Sequence, residues 1–189
     1  MIVRPGEEKD MRKILVVVDM QNDFIDGALG TQQAREIVQN VVRKIESYTR
    51  EGASVFATRD THGEDYLTTS EGRHLPIPHC IRGTKGWEIR PEIAGALDRA
   101  GAEIIDKPTF GSQVLARKLT KLAGERPQEL EIEVIGLCTD ICVVSNALLL
   151  KAAMPEALIR VDPACTAGVT PESCQAALLT MKMCQVEVE

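Results

Sequence analysis

Four places in this chain put a reactive side chain where a short apolar run stops. Asp19 closes Lys13–Asp19 (KILVVVD), Asp60 and His62 follow Ala53–Thr58 (ASVFAT), Lys107 follows Ala102–Asp106 (AEIID), and Cys142 comes one turn after Glu131–Gly136 (EIEVIG). They supply an acid, a carboxylate–imidazole pair, a cation and a thiol. A carboxylate at the end of a buried strand is partly desolvated, which raises its pKa and suits it to move protons. An ammonium beside it and beside a thiol stabilises both anions.

The thiol lies in Gly136-Leu137-Cys138-Thr139-Asp140-Ile141-Cys142. Thr139 or Asp140 can cap a helix, which puts Cys142 in its first turn. There the helix dipole and free N–H groups favour thiolate, and neighbouring backbone N–H groups can hold an oxyanion. The residues alone equally allow Cys142 to be core filler, and Cys138, at the strand end, competes as nucleophile. Cys80, Cys165, Cys174 and Cys184 read as small reduced apolar residues. No CxxC pair is present, so neither a zinc ribbon nor a thioredoxin-type site is supported.

Asp60 and His62 are two apart, so on an extended chain they face the same way. His74 and His79 are the other histidines, and Glu71 lies between the pairs. Mixed carboxylate and imidazole ligands suit a divalent ion such as Zn, Mn or Fe.

The elements that must position these groups alternate. Gln32–Arg50, Pro91–Arg99, Gly111–Ala123, Asp140–Ala153 and Pro171–Met183 carry helical patterns. The strand runs above are joined by Ala157–Val161 and Gln185–Val188. Alternation of this kind predicts an α/β fold, a six-stranded mostly parallel sheet with helices on both faces, and ligands beyond the C-terminal strand ends. Asp60–Trp87, rich in Thr, His, Gly and Pro, reads as a long functional loop. The 189 residues fit a single domain, 1–189, with residues 1–12 as an N-terminal extension.

Composition narrows the partners. Twenty-two Lys and Arg against 28 Asp and Glu give a net charge of −6, which disfavours nucleic acid and anionic membranes. The longest apolar run is too short to span a bilayer, and MIVRPGEEKDMRK has no apolar signal core, so the expected location is cytoplasmic.

The segments Val18-Asp19-Met20-Gln21-Asn22-Asp23-Phe24, Lys107 and Gly136–Cys142, in that order, resemble the isochorismatase-like cysteine hydrolases over nearly everything after residue 12. The resemblance implies a three-layer Rossmann-like sandwich and a catalytic triad of Cys142, Asp19 and Lys107. It also implies a non-proline cis peptide before Cys138 and an oxyanion hole from the N–H groups of Cys138 and Cys142. Asp60-x-His62 with His79-Cys80 looks like the nicotinamidase branch. That branch implies a divalent ion on Asp60, His62, His79 and a further ligand. Many nicotinamidases carry a His six residues after the first; Thr68 stands there in this chain, which leaves Glu71 as the natural replacement and His74 as the weaker one. Phe24 would contact the substrate ring, with Tyr66, Trp87 or Phe110 supplying the other face. The implied reaction is hydrolysis of nicotinamide or a close small carboxamide through a thioester, in a homo-oligomer. The alternative is a metal-free relative acting on a vinyl ether, a ureido acid or another amide.

Overall fold

The computed structural model describes residues 11–189. All but the last two residues of the expected 1–12 extension therefore lie outside the described residues, and Arg12 already belongs to the first strand. The strands are β1 (Arg12–Val18), β2 (Ser54–Asp60), β3 (Glu103–Lys107), β4 (Leu130–Leu137), β5 (Leu158–Ala167) and β6 (Glu187–Val188). They form one sheet in the order β3-β2-β1-β4-β5-β6, with every neighbouring pair parallel. The helices are α1 (Asn22–Ile25), α2 (Gln32–Arg50), α3 (Ser70–His74), α4 (Pro91–Arg99), α5 (Gln113–Ala123), α6 (Val144–Ala153) and α7 (Pro171–Met183).

The unbroken apolar run of β1 follows from burial on both faces. Ile14, Val16 and Val18 point into one core, shared with α5, α6 and α7; Leu15 and Val17 point into the other, shared with α2 and α4. Helix α2 shows the matching pattern. Thr31 caps it by accepting the Ala34 N–H at 3.0 Å, and Ala34, Ile37, Val38, Val41, Ile45 and Tyr48 are buried at helical spacing.

Strand order turns at β1. The chain goes from β1 to β2 on one side, while β4 lies on the other, so the C-terminal ends of β1 and β4 flank the crevice where ligands bind in such sheets. The two strands close tightly there. Val18 pairs with Gly136, which has φ +113°, and a Cβ on Gly136 would lie 2.1 Å from the Val18 carbonyl oxygen. Only glycine fits that position.

Four local expectations need correction. Strand β5 runs to Ala167 instead of stopping at Val161, because its pairing with β4 shifts register between Val134 and Gly136 and then resumes at Thr166. Asp162-Pro163 reads as a strand end but sits at this irregularity, which is where a proline is tolerated in a sheet. The segment after Asp60 is not plain loop: a 3₁₀ turn (Tyr66–Thr68) and α3 give it local structure. The helix expected over Asp140–Ala153 opens instead with a π-helical turn, Thr139–Val143. Finally, Asp60 and Lys107 are the last residues of β2 and β3 and pair with each other, so neither follows its strand.

Gly136→Ala is expected to lower unfolding free energy by roughly 2–6 kcal/mol, combining the positive-φ penalty with overpacking against Val18. Urea unfolding would measure it; an unchanged midpoint would mean the β1–β4 junction is looser than this geometry.

Candidate active site

The triad positions meet at that crevice. Asp19 is the first residue past β1, completely buried, with φ +48°. The Thr58 hydroxyl donates to Asp19 Oδ1 at 2.7 Å, and the Asp19 N–H reaches the Thr58 carbonyl at 3.2 Å. Lys107, at the end of β3, extends across the end of β2 and is only 1% exposed. Its Nζ lies 2.7 Å from Asp19 Oδ2, 3.2 Å from Asp60 Oδ1 and 3.4 Å from Cys142 Sγ. The Lys107 ammonium and the Asp19 carboxylate thus form a buried ion pair.

Burial opposes the charge on Lys107, but the attraction of Asp19 and Asp60 outweighs it and raises its pKa, keeping the ammonium. Burial raises Asp19 above the ordinary carboxylate range against the pull of Lys107. Cys142 departs from expectation. Its thiol is pushed well above the usual value by burial and by Asp19, with Lys107 only partly opposing. The helix-dipole argument for a resting thiolate fails because the sulfur is desolvated and faces a carboxylate, and the π-helical turn replaces a regular first turn. The group is a neutral thiol beside a base.

Cys138 differs from Cys142 in its surroundings. The Leu137–Cys138 peptide is cis, as the resemblance implies. The Cys138 carbonyl accepts from the Ile141 and Val143 N–H groups at 3.1 and 3.0 Å. Its thiol is pushed up to about 12 by burial, and no Lys107 contact comparable to that of Cys142 reaches it. None of the six cysteines is disulfide-bonded, although only Cys80, Cys142 and Cys165 are fully buried. Asn146, on α6, locks the Cys142 turn: its amide donates to the Cys142 carbonyl at 2.8 Å and accepts the Ser112 N–H at 2.9 Å.

The long connection builds the second cluster. Asp60, His62, Glu71 and His79 each offer a ligand atom, all within 4.8 Å of one another. His62 Nε2 is 2.9 Å from Asp60 Oδ2 and 3.7 Å from Glu71 Oε1; His79 Nε2 is 3.7 Å from both carboxylates. The two histidine segments lie side by side, since the His62 N–H bonds the Cys80 carbonyl at 3.0 Å and the Arg82 N–H bonds the His62 carbonyl at 2.9 Å. His79 Nδ1 is held 2.9 Å from the Ile77 carbonyl, which fixes the tautomer and leaves Nε2 for a cation. Two imidazoles and two carboxylates in one small space fit a divalent ion. His74 does not join them: its Nδ1 lies 2.7 Å from the Ser70 carbonyl at the exposed end of α3. Thr68 points its hydroxyl at the Asp65 carbonyl, 2.8 Å away.

Both clusters open on one cavity of about 590 Å³. Asp60, Glu71, His79, Cys138 and Cys142 line it, with Phe24, Leu29, Leu75, Phe110 and Ile141 among the apolar walls. Phe24 and Phe110 are the aromatic side chains of its wall. Tyr66 and Trp87 do not line it, which corrects the expectation for both. Tyr66 is buried behind the cluster, 4.7 and 5.0 Å from the His62 and His79 rings, and its hydroxyl donates to the Leu75 carbonyl at 2.9 Å. Trp87 lies 3.6 Å beneath the Arg59 guanidinium with its indole N–H on Thr61 at 2.9 Å. Both aromatics support the connection from outside.

Asp23 is a positioning residue that the sequence does not single out: it sits in α1, and its Oδ2 accepts the Cys80 N–H at 2.8 Å, anchoring the residue next to His79. Gly86 makes room for that carboxylate: a Cβ there would lie 2.1 Å from Asp23 Oδ2. The alternation Asp19, Gln21, Asp23 was the available signal. Likewise, Asp60 was legible as a ligand candidate but not as a counterion of Lys107.

The isochorismatase domain matches residues 13–189. A nicotinamidase/pyrazinamidase of Mycobacterium tuberculosis is 30% identical, covering 93% of this chain and 97% of the relative. The zinc complex of Pyrococcus horikoshii pyrazinamidase superposes with a TM-score of 0.75 at 25% identity, covering 94% and 98% of the two chains. The N-carbamoylsarcosine amidase of Thermoplasma acidophilum gives 0.73 at 27%, covering 95% and 96%. The family match over almost the whole chain and the structural likeness lead to one conclusion: this chain belongs to the isochorismatase-domain family.

Proposed function

We propose that this chain hydrolyses nicotinamide, or a closely similar small aromatic carboxamide, to the carboxylic acid and ammonia. The observation that carries the reading is the joining of the two clusters through one residue: Asp60 touches Lys107 with Oδ1 and the His62 imidazole with Oδ2. A nucleophile and a ring-nitrogen anchor on one cavity suit a substrate with a carboxamide at one end and a ring nitrogen at the other. Two of the comparison proteins are named for such substrates. The third is an amidase of a different substrate at similar likeness, so the fold alone does not choose; the carboxylate–imidazole cluster does.

In this reading Cys142 is the nucleophile, Asp19 the general base and Lys107 the electrostatic partner. Asp19 takes the thiol proton as Sγ attacks the carbonyl carbon, and the ammonium holds the charges that result. Backbone N–H groups of Cys138 and Cys142 receive the oxyanion; one such donor is typically worth about 3 kcal/mol. Asp19 then delivers its proton to the departing ammonia, leaving a thioester. It next deprotonates the water that opens the thioester and returns the proton to sulfur. Asp60, His62, Glu71 and His79 would hold a divalent ion, Zn, Mn or Fe. When bound, that ion supplies a Lewis-acidic anchor for the ring nitrogen. Phe24 and Phe110 flank the ring. Homo-oligomeric assembly, a cytoplasmic setting and a role in NAD salvage belong to the same reading.

Three outcomes follow. Cys142→Ala should reduce ammonia release from nicotinamide by at least about 10⁴-fold, as nucleophile removal does in comparable hydrolases; retained turnover would remove the nucleophile assignment. Glu71→Ala should weaken zinc binding by at least about tenfold while His74→Ala leaves it unchanged, read by chelator competition; the reverse pattern would reassign the fourth ligand. The third concerns pH. Asp19 must be ionised to act and its pKa is raised, so kcat/KM should fall on acidification at a pH above the ordinary carboxylate value of about 3.9. The raised thiol pKa predicts no accompanying alkaline limb near neutrality. Chelator-insensitive activity confined to carbamoyl amides would overturn the substrate class.

A further inference from the structure

The β1–β2 ladder has to stop just where its neighbours matter most. The last backbone pair is Val18 with Thr58, closed by the Asp19 N–H on the Thr58 carbonyl at 3.2 Å. Asp19 then takes φ +48° to present its carboxylate, and the β1 backbone leaves the sheet. In a parallel ladder a residue's N–H and C=O point to the same side. On the β3 side the ladder continues, with Thr61 N–H on the Lys107 carbonyl at 2.9 Å. On the β1 side, the N–H and C=O of Asp60 have lost their backbone partner.

Gln21 fills that place with its side chain. Its Oε1 accepts the Asp60 N–H at 2.7 Å, and its Nε2 donates to the Asp60 carbonyl at 2.8 Å and to the Trp87 carbonyl at 2.9 Å. Gln21 is completely buried. Its own N–H is taken by the Asp19 carbonyl at 2.7 Å, so its backbone donor is not free for this task. The carboxamide acts as a detached peptide unit, extending the ladder by one residue after the real backbone has turned away.

We propose that Gln21 is a positioning residue that sets Asp60 for its two simultaneous contacts, Lys107 through Oδ1 and the ion cluster through Oδ2. The inference rests on the reading of Asp60, His62, Glu71 and His79 as a divalent-ion site. It also accounts for the middle member of the Asp19-x-Gln21-x-Asp23 alternation: Asp19 acts at the reacting group, Gln21 clamps residue 60, and Asp23 clamps residue 80 beside His79. The stretch that follows β1 thus supplies separate anchors to the residue 60 and residue 80 segments.

The test is zinc affinity of the full chain by competition with a chromophoric chelator, with circular dichroism confirming that each variant is folded at the temperature used. Gln21→Met keeps the volume and removes all three hydrogen bonds. Its zinc affinity should fall 10- to 100-fold, as when a group that orients a metal ligand is lost. A Gln21 that merely stabilises the fold would lower Tm and leave the zinc affinity of the folded protein at the wild-type value, and that result would overturn the proposal. Should Gln21→Met fail to fold, Gln21→Asn, one methylene too short to reach Asp60, is read the same way. A wild-type chain without measurable zinc affinity also overturns it. A wild-type chain that binds zinc but releases no ammonia from nicotinamide removes the substrate assignment and leaves the role of Gln21 standing.

Discussion

A buried ammonium holds this site together. Lys107 is withdrawn from water among Asp19, Asp60 and Cys142. Removing such a group from water costs several kcal/mol, and the attraction of close, equally buried carboxylates must offset it. The dependence is mutual. Asp19 and Asp60 each raise the proton affinity of the groups around them, and in the absence of the cation two carboxylates and a thiol would not share one crevice as Asp⁻, Asp⁻ and SH. In the proposed mechanism the proton that starts the chemistry therefore rests on sulfur, and Asp19 is the carboxylate that would receive it.

Three strands are needed to achieve this, and each contributes by ending. β1 ends so that Asp19 can turn out of the sheet, β3 ends on Lys107 with its side chain reaching over β2, and β4 ends in the Cys138 turn that carries Cys142. Gly136 lets β4 approach the Val18 carbonyl closely enough for Asp19 and the Cys142 turn to meet. The side chains that appear idle in the mechanism do the aligning: Thr58 on Asp19, Asn146 on the Cys142 carbonyl, Asp23 on the Cys80 N–H. Misplacement of about 1 Å at such centres lowers rates by about two orders of magnitude, which gives these hydrogen bonds functional weight beyond their contribution to stability.

The chain's own pattern determined a good deal. Apolar runs of five to seven residues alternating with amphipathic helices can satisfy their burial only as a parallel sheet covered on both faces, so the fold class, and the collection of Asp19, Asp60, Lys107 and Cys142 on one rim, were legible. The Asp60/His62/Glu71/His79 set was legible as ligand chemistry. Tertiary structure alone decided the rest, because those properties arise from neighbours distant in the chain. Whether Glu71 or His74 completes the cluster depends on which face of α3 meets the histidine segments. Whether Cys142 rests as thiol or thiolate depends on a carboxylate 123 positions earlier in the chain and on desolvation, which outweigh the local helix terminus. Tyr66 and Trp87 have the composition of a ring platform, yet they pack behind the wall, since residue type does not encode direction across a connection this long. Periodicity reports which face of an element is buried; it carries no information on what stands across the gap, and that is where the chemistry of this site is set.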